Sequence, residues 1–225
     1  MTATMKTAAI AAASAIFFSL GLPARAADDH SHHQHPAPAA GEPDPHAEHK
    51  AAAAKPVSAQ SVEIKLVDVE LLNQDGKPVK LKRDVVGDRI VVMDFVYTTC
   101  TTVCPVLSAL LADVQGKLGK DVGQDVALVS MTVDPVRDTP QRLKAFGEKY
   151  NAGPGWSFVT GRKAQVEDVL KIFGAYTPNF VDHPPLVMVG DGKTGKWLRF
   201  FGFPSPDQLT AAVKDLQAAR QGRQG

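Results

Sequence analysis

The chain has 225 residues, 44% of them apolar and 22% charged, which is enough apolar material for a sizeable core. The formal charge is only +1 and Lys and Arg are scattered, so there is no electrostatic footprint for a nucleic-acid backbone and that class is excluded. The length allows one domain with tails, or at most two small ones.

Residues 1–26 read as an export leader. Lys6 supplies a positive start, the Ala-rich run from Thr7 to Leu20 carries Ile10, Ile16, Phe17 and Phe18, and Ala24-Arg25-Ala26 is a cleavage signal. The apolar run is shorter than the ~20 residues that a spanning helix wants, although an uncleaved membrane anchor is the alternative. Export implies an oxidising compartment, the periplasm, in which a disulfide can persist. Residues 27–57 are rich in Ala, Pro, His and acidic groups, with almost nothing to bury, and read as a flexible tether. Six of the seven histidines lie there: His30, His32, His33, His35, His46 and His49. Such a cluster suits capture of copper, nickel or zinc, or it is a polar linker and no more.

Residues 58–225 read as the folded domain. Val62 to Leu72 looks like a strand, Asn73-Gln74-Asp75-Gly76 like a turn, and Val79 to Leu81 like the returning arm of a hairpin. The apolar run Ile90 to Tyr97 predicts a central strand buried on both faces. Val106, Leu107, Leu110, Leu111, Val114 and Leu118 recur at helical spacing. Val126 to Val133 is the next strand, and Asp138-Thr139-Pro140 opens another helix. Trp156 to Thr160 predicts a short strand and Val166 to Phe173 a helix. Leu186 to Val189 and Trp197 to Phe201 predict two strands joined by a loop. Ser205, Pro206 and Gln208 supply a capping box for the last helix. This order predicts an α/β sandwich, a mostly parallel central sheet flanked by helices, with an N-terminal hairpin and an antiparallel pair at the end.

The two cysteines, Cys100 and Cys104, stand between the buried strand and an amphipathic helix. A helix start lowers thiol pKa and favours the thiolate, the form that binds metal and attacks disulfides. If both lie in the first helical turn, their Cβ atoms are about 5–6 Å apart, wider than the roughly 3.5–4.5 Å of a relaxed disulfide. Two metal–sulfur bonds of about 2.3 Å, the length known for zinc, span such a gap. A thiolate pair suits Cu(I), and an added imidazole suits Cu(II) as well. The folded domain has one histidine, His183, in a loop before the strand at Leu186. Position alone gives it no more claim as a ligand than any loop histidine.

The run Tyr97-Thr98-Thr99-Cys100-Thr101-Thr102-Val103-Cys104-Pro105 resembles the signature of the Sco/SenC family. The resemblance continues through Ser130-Met131-Thr132-Val133-Asp134-Pro135, Arg137-Asp138-Thr139-Pro140 and Asp182-His183, and covers most of Val57 to Gly225. It implies a thioredoxin-like fold and a copper metallochaperone that supplies the binuclear copper site of cytochrome c oxidase. It also implies Cys100, Cys104 and His183 as the copper ligands, with a supporting role for Asp134 and Asp138. The alternative is a thiol-disulfide reductase acting on the cysteines of a copper protein, in which Cys100 attacks and Cys104 resolves. Either role needs a thiol reductant to keep the pair reduced. Pro184-Pro185 departs from the family pattern: a cis bond there would resemble the substrate-docking proline of thioredoxin-like oxidoreductases, and two trans bonds would make a plain rigid loop.

Gly190-Asp191-Gly192-Lys193-Thr194-Gly195 satisfies G-x-G-x-x-G, but a strand follows it, so it reads as a hairpin loop and not a dinucleotide site. Gly192-Lys193-Thr194 lacks the upstream glycine of a P-loop, Val187 standing in its place. Tyr97 stands where a peroxiredoxin-like motif wants proline.

Overall fold

The computed structural model describes residues 56–222, so the leader, almost all of the tether and the tether's six histidines lie outside the described residues. Among the described residues eight strands make one sheet: β1 (Ala59–Glu63), β2 (Glu70–Asn73), β3 (Pro78–Lys80), β4 (Ile90–Val96), β5 (Val126–Thr132), β6 (Trp156–Thr160), β7 (Leu186–Asp191) and β8 (Lys196–Phe201), in spatial order β1-β8-β7-β4-β5-β6-β2-β3. Among the described residues four α-helices cover it: α1 (Val103–Leu118), α2 (Pro140–Glu148), α3 (Lys163–Phe173) and α4 (Pro206–Gln221).

The α/β sandwich is as expected, but the sheet is mixed and not mostly parallel. Only β4, β5 and β6 run parallel; the other neighbouring pairs are antiparallel. The helices α1 and α2 supply the crossovers that parallel neighbours require. After α3 the chain crosses one end of the sheet, so β7 starts where β4 finishes, with Val187 opposite Asp94. That return path brings the segment before β7 to the same end as the cysteines.

The strand expected over Val62 to Leu72 is two strands on opposite edges. β1 pairs with β8, whereas β2 pairs with β6 and forms the hairpin with β3. Between them Ile64 and Leu66 are buried under the sheet. Alternating burial marks an extended chain but does not say which strand it pairs with. The return arm is also shorter than expected: Leu81 opens a wide helical turn, Leu81–Val86, whose end is held by Arg89 donating to the carbonyls of Asp84, Val85 and Val86.

β4 is buried along its whole length. Ile90, Val92 and Val96 pack with α1, α2 and α4, while Val91, Met93 and Phe95 pack with α3 and the wide turn. Burial on both faces explains why this strand reads as a continuous apolar run. α4 begins as its residues predict: the Ser205 hydroxyl accepts from Gln208 N at 3.2 Å and the Gln208 side chain accepts from Ser205 N at 3.1 Å. In the hairpin of β7 and β8, Gly190 is needed for space, because a Cβ there would lie 2.0 Å from the Trp197 ring. Among the described residues no helix is long and apolar enough to cross a membrane.

Candidate functional site

Past Val96 the chain leaves β4 in a turn closed by Cys100 N donating to the Tyr97 carbonyl at 3.1 Å. Asp138 fixes this turn. Its carboxylate accepts from Thr98 N at 3.1 and 3.3 Å, from the Thr98 hydroxyl at 2.6 Å and from the Thr132 hydroxyl at 2.6 Å. Thr132 in turn accepts from Asp134 N at 3.0 Å, and Arg137 Nη1 donates to Asp134 Oδ2 at 3.0 Å. The segment after β5 is thereby stitched to the cysteine turn. Burial raises the Asp138 carboxyl even though these hydrogen bonds favour its charged form.

Cys100 precedes α1 and is not part of it; the helix begins at Val103, so the two cysteines are not an i, i+4 pair on one helical face. The reason lies at the cap. Thr102 makes no side-chain cap, and the Cys100 sulfur takes that place by accepting from Cys104 N at 3.3 Å. Both thiols are free; Cys104 is fully buried and Cys100 is 8% exposed. Burial alone would raise the Cys100 thiol, but the Cys104 thiol, the backbone amides of Cys104 and Thr102 and the Tyr97 hydroxyl outweigh it and bring it down to about 7. Burial pushes the Cys104 thiol far up, and the adjacent Cys100 and Asp94 charges push it further. Tyr97 is raised to about 12, first by burial and then by Cys100. The pair therefore has one easily ionised sulfur and one that holds its proton.

Asp94 had no place in the sequence-based site. It is fully buried on β4, on the face that α1 covers, with no hydrogen-bond partner for either carboxylate oxygen. Burial raises it to about 7, only partly offset by the nearby Ser130. The signal that could have found it was a lone carboxylate inside the run Ile90 to Tyr97. Thr98 and Thr132, now seen to hold Asp138, had no signal beyond membership in the motifs.

His183 follows the short turn Phe180–Asp182 and precedes β7. It is 7% exposed, its Nδ1 lies 3.2 Å from the Pro184 carbonyl, and burial pulls its pKa down, keeping the ring neutral as a metal ligand requires. Tyr97 connects it to the cysteine turn: the Tyr97 ring stands edge-on to His183 at 5.8 Å and to Phe180 at 5.1 Å. The structure thus brings Cys100 and Cys104 together and sets His183 beside them across Tyr97. Among the described residues, no three His, Cys, Asp or Glu side chains stand close enough to hold a metal ion as they are. Cys100, Cys104 and the turn-borne His183 are the residues available for such an ion. No described peptide bond is cis, so Pro184 and Pro185 form a plain trans loop. The glycine-rich hexapeptide is a hairpin loop, its turn amides of Lys193 and Thr194 bound to Asp191.

The SCO1/SenC family model matches residues 59–217. A SCO1 protein homolog of Bacillus subtilis is 39% identical over 106 residues, which is 46% of this chain and 53% of that protein. The chain spans about half the length of such curated relatives. The crystal structure of a SCO1/SenC family lipoprotein from Bacillus anthracis matches with a TM-score of 0.60 and 28% identity, over 70% of this chain and 98% of that one. A copper-bound ScoI structure from Bradyrhizobium japonicum matches with a TM-score of 0.52 and 26% identity, over 67% of this chain and 96% of that one.

Proposed function

The chain belongs to the SCO1/SenC family, and from that premise we propose that it is a copper metallochaperone that binds the ion through Cys100, Cys104 and His183 and passes it to the binuclear copper site of cytochrome c oxidase. The observation that carries this reading is the unequal pair of free thiols at a helix start, with a neutral imidazole one aromatic ring away. Two soft sulfurs and one imidazole form a donor set that suits copper in either valence. Copper bound to the relative from Bradyrhizobium japonicum supports the choice of metal.

The Cys100 thiolate, available near pH 7, receives the ion first. Cys104 loses its proton only once a cation offsets the burial and the neighbouring negative charge, so loading releases protons and tightens as pH rises. His183 completes the set by movement of its turn against the Tyr97 ring, which Phe180 and His183 both meet edge-on. Handing over the ion by ligand exchange reverses these steps. The leader argues for a periplasmic location, with membrane attachment if it stays uncut, and a thiol reductant is needed to keep the pair open to metal.

Titration of the reduced full chain with copper, following the Cu(II)–thiolate absorption, tests the reading, because tether histidines give no such band. Tight one-to-one binding that weakens sharply in His183→Ala is expected. Weak binding indifferent to His183 would overturn the assignment.

The same thiol asymmetry favours a second reading, a reductase of a copper protein's disulfide. The Cys100 thiolate would attack one sulfur and release a thiolate of the partner; Cys104 would then attack Cys100 and release the partner's second thiolate, leaving this chain oxidised. That role survives loss of His183, whereas the chaperone does not.

A further inference from the structure

A cleft of about 300 Å³ opens beside the turn that carries His183. Its floor is apolar, built from buried Val133 after β5, Leu170 of α3 and Ala175 beyond α3. It also contains four charged groups, but they are spent on each other. Arg137 pairs with Asp134 at 3.0 Å and stacks over the Phe180 ring at 5.6 Å, and Lys163 pairs with Glu167. The cleft therefore holds no unpaired charge to attract a charged ligand, whereas an uncharged apolar group meets its floor directly. The charge pattern therefore selects a neutral occupant.

The rim points to a protein as the source of that occupant. Val136 on the rim is 71% exposed and Tyr176 38%, and Val181, between the cleft and His183, is 50% exposed. Exposed apolar groups at the mouth of one apolar cleft, here Val136 and Tyr176, mark a surface that another molecule covers. Cys100 and His183 are only 8% and 7% exposed, so an incoming ligand reaches them only if its own surface comes flush with this end of the sheet. A surface that does so also covers Val181 and the cleft.

We propose that the cleft seats an uncharged apolar or aromatic side chain of the protein that accepts the copper, anchoring it beside His183 during transfer. This rests on the copper-transfer reading above. A few well-buried apolar anchors carry most of the energy of such contacts, and each 1.4 kcal/mol is a factor of ten.

The test is the rate at which the full chain, loaded with one equivalent of Cu(I), transfers it to the purified soluble copper-site domain of a cytochrome c oxidase subunit, compared with transfer to the small chelator bathocuproine disulfonate. Val136→Glu places a charge on an exposed rim position, Tyr176→Ala removes an apolar rim group, and Val136→Leu keeps the rim apolar. Expected for Val136→Glu is about a tenfold loss in rate to the domain, with a smaller loss for Tyr176→Ala. Rates to the chelator should stay unchanged and Val136→Leu should match the wild type. If Val136→Glu transfers to the domain as fast as wild type, the cleft is not a docking site and the copper reading stands. If Val136→Glu slows both acceptors equally, the effect is on copper holding and the docking inference fails. If the wild type itself passes no copper to the domain, the transfer reading fails and the cleft inference with it.

Discussion

Two aspartates on neighbouring strands are both fully buried, yet their surroundings treat them in opposite ways. Asp191, at the end of β7 far from the cysteines, accepts from Arg220 Nη2 at 2.6 Å, Arg220 Nε at 3.0 Å, Lys193 N at 2.8 Å and Thr194 N at 3.1 Å. Burial would raise its carboxyl, but Arg220 and Thr194 outweigh that and hold it below the usual value. Asp94, on β4 behind the cysteines, has no partner and is raised to about 7. A buried charge is costly unless paired, so the first arrangement fastens α4 to the sheet, while the second leaves a cost in place next to the thiols. The difference separates the end of the sheet where a buried carboxylate is paired from the end that carries the cysteines, where one is left unpaired.

The largest expected effect breaks the satisfied side. Arg220→Ala strands Asp191 as an uncompensated buried charge and should lower the free energy of unfolding by about 3 kcal/mol in urea titration, with Asp191→Asn on the same background recovering part of it. A loss below ~1 kcal/mol would mean that water, and not Arg220, carries the pair.

The next relieves the unsatisfied side. Asp94 has a folded pKa near 7 against 3.8 as its ordinary value, so the stability tied to its neutral form is present below about pH 4 and lost as pH rises through about 7. Asp94→Asn should therefore be more stable than wild type by on the order of 2 kcal/mol at pH 8 and no different near pH 4. Equal urea midpoints at both pH values would show that Asp94 does not titrate in the folded state.

Asp138 stands between these cases, buried but with donors on both oxygens. Asp138→Ala should cost about 1–2 kcal/mol, since it leaves the Thr98 amide without its acceptor, and it should alter the reactivity of Cys100, as the turn that presents that sulfur loosens. If alkylation of Cys100 is unchanged, the turn does not depend on Asp138. The smallest effect is Tyr97→Phe, which removes one of the groups that favour the Cys100 thiolate. Its alkylation profile, expected to rise through about pH 7 in wild type, should move to higher pH.

The contrast also sorts what the residues disclosed from what they did not. Ile90 to Tyr97 and the Ser205 capping box announced β4 and α4, because buried runs and caps are local patterns. The cysteine pair was plain for the same reason. The separation of β1 from β2 was not legible, since pairing across the sheet depends on distant strands and not on the Val62 to Leu72 run itself. Spacing left open whether Cys100 lies in the first helical turn; its sulfur caps the helix from outside, a detail of backbone geometry that spacing does not encode. His183 entered only through the resemblance to the family, and its position depends on the antiparallel return of β7. The part played by Asp94 was hidden by its apolar neighbours, although the charge itself was visible.

The most direct test of the copper assignment is X-ray absorption on the full chain loaded with one equivalent of Cu(I). Two sulfur scatterers at about 2.3 Å or slightly less, the scale of metal–thiolate bonds, are predicted, with their loss in the Cys100→Ser and Cys104→Ser double variant. Copper surrounded by nitrogen and oxygen alone in the wild type would place the ion on the tether histidines and contradict the account.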